Sequence, residues 1–330
     1  MSIRSKFIVF MIFSMAITFF VSGVAFSSGP IKIAVNCTMK PGGAEEAAIK
    51  KFKEIVEEKS QGKMRVDIFM AGQLGKEKKV LELLKIGQTE MSLTGGLYRS
   101  DYAKKYDPIT IPFLFPTWEA IECYLAGPYG NKIKELALKN GGLIDFGPQK
   151  RAARHMTTNR KITKPEDMKG MKMRLPALKI WLDVWKELGA LPIVVPAPEI
   201  YLAMKTGRVE SHENSLVSPY SRKLWEVQKY LVMTGHIYFP WEWVASSAWW
   251  GTLSKENQNI ITDAVETARK YGSSIEDEKD KFYLTELKKR GMKVLEPDKK
   301  AFQEKAKPAI KRATDLLAAG VFEAAMDCSK

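Results

Sequence analysis

Apolar and polar residues alternate with a period of two at Ile31-Lys32-Ile33-Ala34-Val35, the pattern of a strand with one buried face. A helical period follows over 44–58, where Ile49, Phe52, Ile55 and Val56 fall on one face. Ser60-Gln61-Gly62-Lys63 is a turn. Met64, Val66, Ile68 and Met70 then restore the alternation, and Val80, Leu83 and Leu84 mark a second helix over roughly 76–86. Met91-Ser92-Leu93-Thr94 reads as a short buried strand running into Gly95-Gly96. This βαβαβ order predicts a largely parallel sheet with helices packed on it. Ile109 to Pro116 is apolar and broken by prolines, so a loop or edge segment is expected. Helices are expected at about 117–125 and 129–140, and a strand from Gly142 to Phe146.

The alternation repeats over 150–238. Met171 to Leu175 predicts a strand stopped by Pro176, and Trp181, Val184, Trp185 and Leu188 predict a helix. Leu191 to Val195 predicts a strand, and Pro198 opens a helix over 198–206 that Gly207 caps. Arg208-Val209-Glu210 is expected to re-enter the sheet. Behind the cap Ser254, an apolar stripe runs from about 255 to 290, a helix of roughly 50 Å at about 1.5 Å per residue. Gly272-Ser273-Ser274 is the expected point of a bend. Gly291 stops the helix, Met292-Lys293-Val294 is a last strand, and a final helix covers about 298–318.

The N-terminus changes the picture of location. Arg4 and Lys6 precede an apolar stretch from Phe7 to Val21, and Gly23-Val24-Ala25 and Ala25-Phe26-Ser27 offer small-residue cleavage sites. This is the layout of a secretory signal over 1–27, short for a spanning helix of about 20 residues. The mature chain of some 300 residues exceeds what one core usually holds, so two domains are expected. The charge of +14 is dispersed among acids without a basic block, which argues against nucleic-acid binding. Cys37, Cys123 and Cys328 are odd in number and widely spaced; one disulfide is possible in an exported chain, with buried free thiols the default.

Candidate chemistry concentrates between 154 and 214. Arg154, Arg174 and Asn214 each stand at the end of an expected strand. A guanidinium offers a planar fork of donors that matches a carboxylate, and an amide adds one donor and one acceptor. Together they read as a socket for an organic acid. His155, His212 and His236 lack ligand spacing and acidic company, so no metal is expected. His212 is expected to point to the opposite side of its strand from Asn214. No nucleophile with a base and no phosphate-binding glycine loop occurs, so neither catalytic residues nor a cofactor are expected. Trp241, Trp243, Trp249 and Trp250 form a dense aromatic group. Trp241 and Trp243 are the candidates to line a cleft, while Trp181, Trp185, Trp249 and Trp250 read as core.

Several strings resemble, in order and spacing, the substrate-binding proteins of TRAP (tripartite ATP-independent periplasmic) transporters. They are Lys59-Ser60-Gln61-Gly62-Lys63, Gln73-Leu74-Gly75, Arg154 with Thr157-Thr158-Asn159-Arg160, Pro165 through Pro176, Glu199-Ile200-Tyr201-Leu202-Ala203 and Glu213-Asn214. The resemblance covers almost the whole mature chain. It implies two α/β domains with mixed sheets, crossing strands and a long helix spanning both, here 28–151 with 240–279 and 152–239 with 280–330. It implies a carboxylate held between the domains, clamped at the Arg174 position with Arg154 and Asn214 in support. Beside the resemblance, Gln73 and one of Trp241 or Trp243 are candidate further contacts. It further implies domain closure and delivery by a periplasmic monomer to a TRAP permease. Two departures stand out. Ser211-His212-Glu213-Asn214-Ser215 lacks the glycine and proline common in the family, and Gly95 stands where sialic-acid-binding relatives carry an acidic residue. The rival readings are a binding protein of an ATP-driven (ABC-type) transporter, a chemosensory carrier, and a periplasmic enzyme acting on an organic acid.

Overall fold

The computed structural model describes residues 29–330; the expected signal segment lies outside them. The chain begins β1 (Ile31–Asn36), α1 (Ala44–Lys59), β2 (Met64–Phe69), α2 (Glu77–Lys85), β3 (Met91–Thr94) and α3 (Leu97–Tyr102). After two short 3-10 turns come α4 (Trp118–Ala126), α5 (Pro128–Gly141) and β4 (Leu143–Gln149). The next group is β5 (Arg154–Thr158), β6 (Lys172–Leu175), α6 (Lys179–Glu187), β7 (Leu191–Val194), α7 (Ile200–Lys205), β8 (Ser211–Asn214), α8 (Val217–Ser221) and β9 (Tyr230–Ile237). The chain closes with β10 (Trp241–Ser246), α9 (Ser247–Trp250), α10 (Lys255–Lys289), β11 (Lys293–Leu295), α11 (Lys299–Thr314) and α12 (Val321–Cys328).

Two mixed sheets define two lobes. The first runs β2-β1-β3-β10-β4 and the second β11-β9-β5-β8-β6-β7. β1 pairs parallel with β2 and β3, whereas β10 returns antiparallel between β3 and β4. Strands pair by burying their apolar alternation against helices: Ile33 and Val35 of β1 meet Ile49, Phe52 and Val56 of α1 and Ile261, Val265 and Ala268 of α10. Each such side chain withdrawn from water contributes about 1.5–3 kcal/mol. The second lobe packs Met156, Met173, Trp181, Trp185 and Phe302 in the same manner.

The chain crosses between lobes at 150–153 and again at 238–240. The helix α10 spans them, packing on α1 and β4 of the first lobe and on α8 of the second. The Ser254 hydroxyl accepts from Asn257 N–H and starts this helix, and Lys288 and Lys289 favour its C-terminal dipole. It also holds the first crossing: Ser273 Oγ accepts from Lys150 N–H at 2.8 Å and Glu276 Oε1 from Ala152 N–H at 2.9 Å.

Several sequence expectations need correction. The helix is unbroken through Gly272. Here glycine serves close approach, since a Cβ would lie 2.5 Å from Gln149 Nε2 and 2.9 Å from Ala48 Cβ. Gly272→Ala is therefore expected to cost about 1–3 kcal/mol by overpacking, read as a lowered urea midpoint; an unchanged midpoint would refute that packing account. Residues 208–210 are a turn, with Val209 N–H bonded to Ala203 O, and β8 starts only at Ser211. The final helix ends at Thr314, and a separate helix, α12, follows. The boundary expected at 279/280 falls inside α10, and α12 does not stay with the second lobe but packs on α4 of the first. A Cys123–Cys328 disulfide joins α12 to α4, with Cα atoms 5.7 Å apart, in place of the expected free thiols; Cys37 is free and buried. The cross-link adds to the anchoring of α12, which already buries Val321 and Ala325 in the first-lobe core.

Candidate functional site

Parallel strands of both sheets end toward the groove between the lobes, where the carboxyl ends of α/β strands leave backbone donors and loops free for a ligand. Arg174 is the last residue but one of β6 and Asn214 the last of β8, and β5, antiparallel to β8, begins at the same edge with Arg154. Register decides their faces. Arg174 lies beside His212 and His155 beside Asn214, so Arg174, His212 and Asn214 share one face. Arg154 and Glu213 lie on the other. The expectation that His212 turns away from Asn214 is thus overturned, because positions two apart on a strand point the same way. His212 instead meets Ser218 Oγ at 3.2 Å.

Arg174 is 3 % exposed, and its Nε donates to Val195 O at 2.7 Å. Among the described residues its two Nη groups have no hydrogen-bond partner, and neither is among the fully enclosed unpartnered atoms, so the fork is open toward the groove. Burial pulls this guanidinium down to about 9; Glu213 opposes that pull and Arg154 and Arg222 reinforce it. Arg154 is differently placed. It grips Glu213 with Nε–Oε2 at 2.6 Å and Nη2–Oε1 at 2.8 Å, adds a bond to Glu213 O at 3.0 Å, and lies 4.8 Å over the Trp181 ring. His236 Nε2 stands 3.1 Å from the same carboxylate. Burial alone would raise Glu213, but Arg154 and His236 hold it well below the usual carboxylate range. Arg154 thus spends its charge inside the lobe, where the sequence reading had it facing the acid.

Asn214 is 7 % exposed, and its Oδ1 accepts from Arg151 Nη2 and from Ser215 N–H at 3.0 Å. Trp241 is buried at the second crossing, its Nε1 donating to Glu45 Oε1 at 2.9 Å and its face covered by the Arg151 guanidinium at 4.2 Å. Trp243 does not line the groove: it is fully buried against Phe52 in the first-lobe core and donates to Gln149 Oε1 at 3.0 Å. Trp249 and Trp250, expected in the core, are half-buried on α9. Gln73 is exposed, on the rim where the next residue back, Gly72, faces Pro198 of the other lobe.

The first lobe supplies the opposite wall. Glu77 Oε1 accepts from Thr94 Oγ1 at 2.9 Å, and burial raises this carboxyl while Thr94 and the Leu97 N–H oppose the rise. A Cβ at Gly96 would lie 2.7 Å from the Phe239 ring, so a side chain has no room there. The lobes touch at the rim through the Lys76–Glu199 ion pair and through Arg222 Nη2 to Thr38 O at 3.4 Å. A cavity of about 930 Å³ opens elsewhere, between α6, α11 and the segment 100–111, and holds none of these arginines. Among the described residues no group of three or more His, Cys, Asp or Glu could hold a metal, and no helix is long and apolar enough to cross a membrane.

Sequence reasoning missed Arg151, Arg222, Glu45 and Glu213 as members of this cluster. Glu213 could have been found as the acid beside Asn214. Arg151 and Arg222 gain their places only through the crossing and the lobe contact, which no local pattern announces.

A family model described as bacterial extracellular solute-binding protein, family 7, matches residues 36–315. A solute-binding protein of Roseobacter denitrificans is 29% identical over 300 residues, covering 88% of this chain and 91% of that protein. The crystal structure of a TRAP periplasmic solute-binding protein from the same organism, with bound L-galactonate, aligns with a TM-score of 0.85 and 26% identity over 92% of this chain and 99% of that one. A TRAP periplasmic solute-binding protein of Polaromonas sp. JS666 bound to D-erythronate aligns with a TM-score of 0.84 and 26% identity, covering 89% and 98%.

Proposed function

Because the chain belongs to the bacterial extracellular solute-binding proteins of family 7, we propose that it captures an organic acid in the groove between its lobes and hands it to a TRAP-type membrane permease. In this reading it is a binder rather than an enzyme. It works in the periplasm, with residues 1–27 removed on export. The observation that carries the reading is Arg174: a guanidinium 3 % exposed whose Nη groups have no partner among the described residues. A buried cation with no carboxylate hydrogen-bonded to its fork is costly, Glu213 offsetting only part of the burial, and a ligand carboxylate seated there relieves that cost with two charge-assisted hydrogen bonds. Asn214 supports it from the same sheet face. Arg154, neutralised by Glu213, shapes the site more than it charges it.

Closure does the remaining work. The Lys76–Glu199 pair and the Arg222–Thr38 contact join the lobes at the rim. Excluding water lowers the local dielectric and strengthens the ion pair, and the joined lobes present one continuous face for a permease to read. The bound L-galactonate and D-erythronate of the two solved relatives are themselves carboxylates, which favours the same class here.

A thermal-shift screen against organic acids tests the reading. Acid at 100 times its dissociation constant adds about 2.7 kcal/mol of stability, a rise of several degrees for a chain of this size. Hits confined to sugars, amines or metal ions would remove the carboxylate reading.

A further inference from the structure

Arg151 has no counterpart in the carboxylate socket read from the sequence, yet it touches more of the hinge than any residue in that socket. It stands on the first crossing between the lobes. Its Nε donates to Ser215 Oγ at 3.1 Å, its Nη2 donates to Asn214 Oδ1, and its plane lies 4.2 Å over Trp241 of the second crossing. It is 3 % exposed. The neighbouring Ala152 is tied through its N–H to Glu276 of α10.

This contact settles the direction of the Asn214 amide. The oxygen and nitrogen of an amide are told apart only by their partners. Arg151 Nη2 and the Ser215 N–H are both donors and converge on one atom, which must therefore be the oxygen. The NH₂ group points the other way and has no acceptor among the described residues. It sits on the same face and the same sheet edge as Arg174.

We infer that Arg151 is a positioning residue that sets specificity: by holding the Asn214 oxygen it turns that corner of the groove into a pure donor. This rests on the acid-binding reading above and deepens it. The acid that pairs with Arg174 then carries an acceptor beside its carboxylate, as a 2-oxo or 2-hydroxy acid does. An acid with an ammonium at that position brings donors against donors and a cation among Arg151, Arg174 and Arg222. Two carboxylates could favour an ammonium: Glu77, on the opposite wall, is occupied by the Thr94 hydroxyl, and Glu45 faces the Arg151 charge and accepts from Trp241 Nε1, with its second oxygen unpartnered among the described residues.

The test is titration calorimetry with two matched series: pyruvate, lactate and alanine; and 2-oxoglutarate, 2-hydroxyglutarate and glutamate. The wild type is expected to bind the oxo or hydroxy acid of at least one series a hundredfold or more tighter than its amino acid. Arg151→Met removes the charged one of the two donors on that oxygen and leaves the Ser215 N–H alone to orient the amide, and the discrimination ratio is expected to fall tenfold or more. Arg151→Lys, which still donates to the amide oxygen, is expected to restore most of it. Asn214→Asp, which presents a carboxylate oxygen in place of NH₂, is expected to lose oxo-acid binding a hundredfold or more. The ratio is the decisive readout because general loosening of the hinge weakens all three ligands together. Should Arg151→Met not fold, the lysine and aspartate variants carry the test. An amino acid bound as tightly as its oxo acid, or a ratio within threefold of wild type in Arg151→Met, overturns the role of Arg151. If those ratios stay put while Arg174→Ala abolishes binding, only this inference falls; if no acid of either series binds, it falls together with the reading beneath it.

Discussion

Replacing Arg174 by alanine is expected to weaken binding of the acid by about 2–5 kcal/mol, roughly thirtyfold to several thousandfold, because it strips a buried carboxylate of its charge partner. The unliganded protein is expected to be no less stable for the change. In that state the guanidinium is 3 % exposed, among the described residues bonds only Val195 O through Nε, and is pulled down to about 9 by burial. Removing a buried charge that lacks its counter-ion relieves desolvation, and that relief offsets the lost hydrogen bond. Affinity and stability therefore move in opposite directions, the mark of a residue kept for its ligand. Arg174→Lys should recover only part of the affinity, since an ammonium is a point charge without the planar fork. Calorimetry with the best acid from the screen, beside a melting curve of the unliganded variant, reads both. A loss of affinity under threefold would remove Arg174 as the clamp, and a large fall in stability with affinity kept would make it a structural residue.

The second large effect concerns Glu213 and runs the other way. Glu213→Ala is expected to destabilise the fold by about 3–5 kcal/mol, since it leaves Arg154 buried with its charge uncompensated. On a chain of this size that is a fall in melting temperature on the order of 10 °C. The carboxylate takes the bidentate grip of Arg154 and the His236 contact at once, and all three side chains are essentially inaccessible. Glu213→Ala/Arg154→Met, which removes both charges, should recover much of the loss. The pH dependence follows from the sign of the shift. Arg154 and His236 depress the Glu213 carboxyl against the opposing effect of burial. The folded state thus binds this proton less readily than the unfolded chain. The stabilisation is complete above the ordinary carboxylate range near 4.5 and is lost as pH falls below it toward the folded value. Urea midpoints measured between pH 3 and 7 should drop on the acid side in the wild type and flatten there in Glu213→Ala. Equal slopes in the two proteins would show that this pair is not the source of acid sensitivity.

The site was legible in the sequence to the extent that its residues sit at strand ends. Arg174 before Pro176 and Asn214 at the end of its short strand could be placed on a sheet edge from period and punctuation alone. What Arg154 does there could not. Its two-pronged partner, Glu213, is 59 residues away and reaches it because β5 and β8 pair antiparallel in one particular register. The tryptophans show the same limit. Trp241 and Trp243 stand two apart on β10, so period alone gives them one face and one role; the register shift between Glu242 and Val244 and the packing on Phe52 put Trp243 in the core, while Trp241 stays at the crossing under Arg151. Gly272 looked like a helix breaker because local propensity is all that a sequence window contains, while its true constraint, Gln149, lies 123 residues earlier.

Much of the element order was determined by the sequence alone: βαβαβ in each half, the cap at Ser254, the long helix over 255–289, and two arginines and an amide toward strand ends. Those depend on hydrogen bonds and burial within a few residues, and a period of 2 or 3.6 records them. The tertiary structure decided which charges cancel and which stay open. It paired Arg154 with Glu213, left Arg174 uncommitted, drew Arg151 from a crossing strand onto Asn214, and carried α12 back to the first lobe for the Cys123–Cys328 link. The physical reason is that pairing energies act through space over a few ångströms, and two residues that close depend on how the lobes and sheets assemble, which no stretch of neighbouring residues encodes.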